Sequence, residues 1–151
     1  MFRGNHPAKV DEKGRLKLPA AFKQLLDAEN VTQFYITSST GARAEIWPLP
    51  EWEKREVEMA ELGTMDEDVS AYLDVTSYYG HQVEADNQAR VLLPQILRGE
   101  AKLDAEVMVI GKLTHLEVSN REKVERDLPE KKMTGEKSQR LSDKLKRRND
   151  R

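Results

Sequence analysis

One short motif occurs twice in the chain, and this repeat restricts the possible folds more than any other feature. The first copy reads DEKGRLKLP at residues 11–19, and the second reads DNQARVLLP at residues 86–94, 75 residues later. Each has an Asp, three residues, an Arg, an alternating apolar run and a Pro. Two copies of a unit of about 50 residues indicate duplication, and 151 residues suffice for one compact domain or for two small units that share a core.

Both copies predict the same succession of elements. In the first, the strands HPAKV and RLKLP flank the turn DEKG, the helix AAFKQLL follows Pro19, and QFYITSS with AEIWPL predicts a second hairpin. In the second, HQVEADNQARVLLP predicts the first hairpin, QILRGEAKL the helix, and AEVMVIGK with THLEVS the second hairpin. A further helix, NREKVERDL, is expected to be capped by Ser119 or Asn120.

Two helices are predicted between the copies. The first is PEWEKREVEMAEL, which begins with a Pro and ends before Gly63. Its inward-facing residues are expected to be Trp52, Val57 or Met59, and Leu62. The second lies in MDEDVSAYLDVTSYYG, which has acidic residues in its first turn and ends at Gly80.

These elements divide the chain into four segments and predict a mixed α+β, mainly β protein. The segments are the first repeat at 1–49, a connecting helical hairpin at 50–79, the second repeat with its following helix at 80–128, and a basic tail at 129–151. The tail has only Met133, Leu141 and Leu145 as sizeable apolar residues. Because so few apolar groups cannot anchor a packed helix, we expect the tail to be disordered.

Composition and charge restrict the class of protein. The chain has 151 residues and no Cys, which excludes disulfides and thiolate metal sites, and no apolar run approaches the length of a membrane span. We therefore expect a soluble, cytoplasmic protein that contacts no membrane. The net charge is −2, but residues 1–26 carry six basic against two acidic groups. An uneven distribution of this kind can hold a phosphate backbone locally.

Signals for catalysis are weak. His6, His81 and His115 have no metal-ligand spacing, no Ser lies in a nucleophile-elbow pattern, and the glycines form no phosphate-binding loop. The acidic run at residues 66–68 is explained by the first turn of a helix. We therefore expect no enzyme activity, no cofactor, no metal and no small-molecule substrate.

The repeated Asp and Arg have a structural explanation that applies to both copies. Asp11 and Arg15, like Asp86 and Arg90, can pair across a turn, a partly exposed contact worth about 0 to 1 kcal/mol. One departure between the copies concerns Gly14, which corresponds to Ala89. If this position needs a positive φ, Ala costs on the order of 1 kcal/mol, so we expect the two turns to differ in shape.

The charge around the two turns differs. In a strand, Lys13, Arg15 and Lys17 alternate onto one face, opposite Leu16 and Leu18. A row of cations on a projecting ribbon can follow DNA phosphates and place Arg against guanine in the major groove. A solvated charged face remains the alternative. The candidate DNA-binding residues are Arg3, Lys9, Lys13, Arg15 and Lys17.

Four motifs together resemble the MraZ family of bacterial transcriptional regulators. They are MFRG at the start, DEKGRLKLP, WPLPEWE at residues 47–53, and DNQARVLLP, and the resemblance covers residues 1 to about 128. It implies an AbrB-like, swapped-hairpin fold, in which a pseudo-twofold β-barrel forms from the two repeats and is flanked by helices. It also implies a ring-shaped homo-oligomer at the nucleoid that binds repeated promoter sites of the division and cell-wall gene cluster, acting as a repressor.

The resemblance also implies roles for individual residues. The first motif is linked to contact with double-stranded promoter DNA, so Arg15 is expected to contact base edges or phosphate, and Lys13 and Lys17 phosphate. Asp11 and Gly14 are expected to shape the loop. Asp86 and Arg90 form the second motif, which is interpreted as a structural counterpart of the first.

An alternative function is a binding module of another class. An oligomeric scaffold, or an antitoxin-like protein-binding module, would engage protein through the tail and the acidic helices between residues 50 and 70. The two hypotheses differ in whether the first turn or the tail carries the main interaction.

Overall fold

The computed structural model describes residues 1–150, which form eight strands and six helices. Residue 151, the last of the predicted tail, lies outside the described residues. The strands are β1 (Asn5–Lys9), β2 (Arg15–Lys17), β3 (Gln33–Thr37), β4 (Ala44–Pro48), β5 (His81–Glu84), β6 (Arg90–Leu92), β7 (Glu106–Gly111) and β8 (Leu116–Asn120). The helices are α1 (Ala20–Ala28), α2 (Leu49–Leu62), α3 (Glu67–Tyr78), α4 (Gln95–Glu100), α5 (Arg121–Lys131) and α6 (Gly135–Asn149). The mixed α and β character is confirmed.

Short helices follow the repeated motif in both copies because of its proline. Pro19 has φ −56° and precedes α1, and Pro94 has φ −57° and precedes α4. The pyrrolidine ring restricts φ to this range and lacks the N–H that a strand ladder needs, so strand pairing stops there and a helix can begin. Asn120 caps α5 as predicted, since its side chain accepts a hydrogen bond from the Lys123 N–H.

The strands of the two copies are interleaved. A six-stranded antiparallel sheet has the order β1-β7-β8-β4-β3-β5, and β2 pairs with β6 in a separate two-stranded ribbon. Strand β1 of the first copy pairs with β7 of the second, and β5 of the second pairs with β3 of the first. The six-stranded sheet is therefore built from strands of both copies.

This exchange contradicts one local prediction and confirms another. The second hairpin of each copy is present, since β3 pairs with β4 and β7 with β8. The prediction of the first hairpin in each copy is wrong beyond the turn. Strands β1 and β2 do not pair with each other, nor do β5 and β6, because all four take partners from the other copy. The exchange has a physical basis: pairing across copies places the apolar faces of both repeats on one core.

A closed barrel was expected and is not present within residues 1–150. Strands β1 and β5 form the two edges of the six-stranded sheet, and no ladder joins them. The β2–β6 ribbon lies beside both edges without extending the sheet. Its strands have three residues each, and Pro19 and Pro94 end them too early for a continuous ladder.

One hydrophobic core joins both copies. Leu16 and Phe22 of the first copy are buried in the same cluster as Val91 and Leu97 of the second. Burying a side chain of this size contributes about 1.5 to 3 kcal/mol. Since the buried residues of each copy contact those of the other, neither copy retains its core without its counterpart.

Helix α2 is held to the sheet by its first turns. Trp52 is buried and stacks on Tyr35 of β3, with ring centroids 4.7 Å apart, and it meets Trp47 of β4 edge-on at 5.4 Å. Of the other residues predicted to face inward, Met59 is partly buried, whereas its alternative Val57 and Leu62 are exposed, Leu62 by 74%. The end of α2 extends past the sheet, so its last apolar residues find nothing to pack against within the described chain.

The tail differs from the expectation of disorder. Residues Gly135–Asn149 form α6, although no residue of this helix is buried. Local interactions explain it: the Thr134 side chain accepts a hydrogen bond from the Lys137 N–H, Glu136 pairs with Arg140 one turn later, and basic residues occupy the last turn. The apolar count predicted correctly that the tail lacks a packed core, but not that it lacks helix. No helix within residues 1–150 has the length and hydropathy of a membrane span.

Candidate nucleic-acid interface

Asp11 shapes the first turn through both of its carboxylate oxygens. Oδ1 accepts hydrogen bonds from the backbone N–H groups of Lys13 at 3.0 Å and Arg15 at 2.9 Å, and Oδ2 accepts one from Arg15 Nε at 2.9 Å. The backbone closes the same loop, since the Asp11 N–H donates to the Arg15 carbonyl at 2.9 Å. The carboxylate therefore orients both the loop and the Arg15 guanidinium.

The second turn repeats this geometry. Asp86 Oδ1 accepts from the N–H groups of Gln88 and Arg90, both at 2.9 Å, and Oδ2 accepts from Arg90 Nε at 2.7 Å. Ala89 adopts φ 58°, in the same left-handed region as the φ 83° of Gly14. The expectation that the turns differ in shape is wrong. The three bonds to the carboxylate, together with the burial of Ala89, hold the backbone there despite the Cβ atom.

The same contacts lower the pKa of both carboxyl groups. The pKa of Asp11 is lowered chiefly by the hydrogen bond from the Arg15 backbone N–H, and further by the Arg15 side chain. The pKa of Asp86 is lowered in the same way by Arg90. Both aspartates are thus charged at neutral pH, and each offsets part of the charge of its Arg.

Two backbone hydrogen bonds join the turn of the first copy to that of the second. The Leu18 N–H donates to the Ala89 carbonyl, and the Leu93 N–H donates to the Gly14 carbonyl, both at 2.9 Å. These bonds continue the β2–β6 ladder at both ends. The two repeated motifs consequently form one surface rather than two separate ones.

The register of the ribbon brings cations of both motifs together. Arg15 lies opposite Leu92, and Lys17 lies opposite Arg90. Directly opposed residues of an antiparallel pair point to the same face. Leu16 and Val91 are fully buried on the other face, so Arg15, Lys17 and Arg90 share the outer one. Sequence reasoning treated Arg90 as separate because register between distant strands cannot be read from either motif.

Not every candidate cation lies on this surface. Lys13 is in the first turn and is exposed, while Lys9 ends β1 and lies opposite Glu106 of β7. Arg3 precedes β1 at its other end, about 20 Å along the strand from Lys9 by the usual rise per residue. The structure therefore groups Lys13, Arg15 and Lys17 with Arg90, and places Arg3 apart from them.

Two of the three histidines pack against aromatic side chains, and His81 is exposed on β5. His115 stacks on Trp47 with ring centroids 4.0 Å apart, and burial lowers its pKa. His6 meets Phe22 edge-on at 5.0 Å. Within residues 1–150, no three His, Asp or Glu side chains converge as metal ligands would.

Comparison with known proteins identifies the family. The family model described as "MraZ protein, putative antitoxin-like" matches residues 1–74 and 80–145. The chain is 50% identical over 143 residues to a protein named transcriptional regulator MraZ from Acidobacterium capsulatum, covering 95% of this chain and 98% of that protein. It is 42% identical over 144 residues to the protein of that name from Koribacter versatilis, with the same two coverages.

The chain belongs to the MraZ family. The resemblance drawn from the four motifs is thereby confirmed, as is the expectation that the protein is a transcriptional regulator and not an enzyme. A more distant MraZ relative, from Thiobacillus denitrificans, is 32% identical over 120 residues, which is 80% of this chain. The two relatives described first match nearly the whole chain, whereas this one matches a shorter part.

Proposed function

We propose that the chain is a sequence-specific DNA-binding regulator whose contact surface is the outer face of the β2–β6 ribbon with the first turn. The observation that carries this proposal is the register that sets Lys17 opposite Arg90 and beside Arg15. Three cations on one outward face, with Lys13 in the adjoining turn, suit a phosphate backbone, and Arg suits the O6 and N7 atoms of guanine.

The division of roles follows from the contacts. Arg15 uses Nε on Asp11, which leaves the terminal nitrogens of the guanidinium to meet base edges or phosphate. Lys13 and Lys17 act on phosphate as mobile point charges. Asp11 holds Arg15 in position, and Lys9, near the turn, adds longer-range attraction. Arg3, at the other end of β1, contacts DNA only where the duplex extends beyond the ribbon.

We infer further that the interleaved strands correspond to the swapped-hairpin arrangement of AbrB-like proteins, and that several copies assemble into a ring in the cytoplasm, at the nucleoid. A single ribbon offers few cations, so its binding alone is weak and sensitive to salt. Several ribbons meeting several repeated sites raise the affinity through effective concentration. Bound at repeated sites upstream of the division and cell-wall gene cluster, such a ring represses by occluding the promoter. Sizing the native particle tests the assembly.

A mobility-shift titration with repeated promoter DNA at several salt concentrations tests the DNA contact. Arg15→Ala is expected to weaken binding by at least about tenfold, because a hydrogen bond to a charged group contributes about 1.5 to 3 kcal/mol. Lys54→Ala is the matched control, since Lys54 is an exposed cation on α2. If Arg15→Ala binds like the wild type in affinity and salt dependence, the assignment fails.

The exposed helix α6 favours a second function, an oligomeric scaffold or antitoxin-like protein-binding module. Leu141 and Leu145 lie one turn apart on α6 and are both about half exposed. Under this alternative, removing the tail at residues 129–151 abolishes the main interaction while Arg15→Ala leaves it intact. The same two variants therefore separate the alternatives.

A further inference from the structure

The two turns differ at one position in a way that backbone conformation does not explain. Gly14 and Ala89 are equivalent, and both have a left-handed backbone, with φ 83° and 58°. Ala89 adopts this conformation with its side chain buried. A positive φ alone therefore does not require glycine in the first turn.

The guanidinium of Arg98 occupies the space beside Gly14. A Cβ atom built on Gly14 would overlap Cζ of Arg98 and lie 2.6 Å from its Nε. Arg98 belongs to α4 of the second copy, and its Nε donates to the Leu93 carbonyl at 3.1 Å. The Leu93 N–H in turn donates to the Gly14 carbonyl at 2.9 Å. Arg98 is thus attached to the first turn through Leu93 and by direct packing.

The equivalent position in the first copy behaves differently. Lys23 stands 75 residues before Arg98, and its Nζ pairs with Asp27 of the same helix at 2.6 Å. The ion pair of Arg98 with Asp104 is longer, at 3.8 Å, and the Asp104 side chain is largely exposed. Because this contact is long and its Asp104 side is in solvent, it offsets only part of the Arg98 charge. Only the first turn combines a glycine with an arginine supplied by the other copy.

We propose that Arg98 is a DNA-contacting residue of the first turn, supplied by the second copy, and that residue 14 is glycine because a side chain there would expel it. The inference rests on the proposed function. Arg98 adds a positive charge beside Lys13 and Arg15, and its side chain, which keeps 19% of its surface accessible, reaches phosphate once the turn has docked. Its packing against Gly14 also restrains the loop that carries Lys13.

The experiment combines four variants in the same DNA titration: Arg98→Ala, Arg98→Lys, Gly14→Ala, and the double variant Gly14→Ala with Arg98→Ala. Arg98→Ala is expected to weaken binding by about tenfold and to lower the salt slope by about one, as the loss of one phosphate contact does. Arg98→Lys keeps the charge and restores the slope. Gly14→Ala displaces only the flexible end of Arg98, so it reproduces the loss of Arg98→Ala. The double variant is no weaker than either single one.

Controls separate folding from binding and this inference from the proposed function. Ala89→Gly alters the equivalent turn, for which the counterpart of Arg98 is Lys23, paired with Asp27 of its own helix, and should bind DNA like the wild type. Melting temperatures establish that each variant is folded. If Arg98→Ala keeps wild-type affinity and salt slope while Arg15→Ala loses binding, the role of Arg98 is overturned and the proposed function stands. The role of Arg98 is also overturned if the losses of DNA affinity of the two single variants add up in the double variant. If Arg15→Ala has no effect either, the proposed function itself fails.

Discussion

Lys17 of the first repeat lies directly opposite Arg90 of the second in the β2–β6 ribbon. Like charges opposed in this way repel each other and destabilise a strand pair. The chain nevertheless places both on the outer face of a ribbon whose other face, with Leu16 and Val91, is fully buried. Asp86 offsets part of the Arg90 charge, and a polyanion bound to that face would relieve the repulsion that is left, as the proposed DNA contact predicts.

Arg90→Ala is expected to weaken DNA binding and to lower the salt slope by about one, because it removes a cation from the ribbon face. Arg90→Lys keeps the charge and should retain the slope, although it loses the directed bond from Nε to Asp86. Titration of promoter DNA at three or more salt concentrations measures both quantities. If Arg90→Ala binds DNA with the affinity and salt slope of the wild type, the second motif has a purely structural role.

Stability is expected to fall in acid through Asp11 and Asp86. Both pKa values are lowered in the folded protein from an unfolded value of 3.8. Their contribution is therefore fully present above that value and is lost as the pH falls through the lower folded values. Melting temperatures recorded from pH 6 downward test this. The double variant Asp11→Asn with Asp86→Asn should show a shallower decline below about pH 4, and a decline as steep as that of the wild type would contradict the prediction.

Trp52→Ala is expected to destabilise the protein by about 3 to 5 kcal/mol, as removal of a buried aromatic side chain usually does. Trp52 anchors α2 by stacking on Tyr35 and by its edge contact with Trp47. Leu62→Ala on the same helix removes an exposed side chain and should change stability by no more than about 0.5 kcal/mol. Urea denaturation compares the two, and equal losses would mean that the end of α2 is packed in solution.

Removal of residues 132–151 is expected to leave the melting temperature nearly unchanged, because no residue of α6 is buried. The helical signal in far-ultraviolet circular dichroism should fall at the same time. Thr134→Ala in the full chain tests the local origin of the helix, since loss of such a cap costs about 1 kcal/mol. A large drop in melting temperature on truncation would instead indicate that α6 packs on a neighbouring copy.

The sequence by itself determined whatever depends on residues close along the chain. The prolines that end β2 and β6, the Asp that closes each turn, and the alternation that buries Leu16 and exposes Lys17 are all consequences of backbone sterics and short-range hydrogen bonds. The length and the repeat allowed two small units that share a core, and the structure has one core that joins both copies. Helix α6 is local in origin as well, but the low apolar content of the tail predicted disorder there.

Only the tertiary structure decided which strands pair and which side chains meet. The exchange of β1 and β5 between copies, the approach of Arg90 to Lys17, and the packing of Arg98 against Gly14 join residues that are 45 or more positions apart. Such contacts follow from the register that buries both apolar faces at once, and neither motif alone carries that information. Ala89 shows the same dependence, because its left-handed backbone contradicts local preference. Its N–H donates to the Asp86 carbonyl, its carbonyl accepts from the Leu18 N–H, and burial stabilises it further.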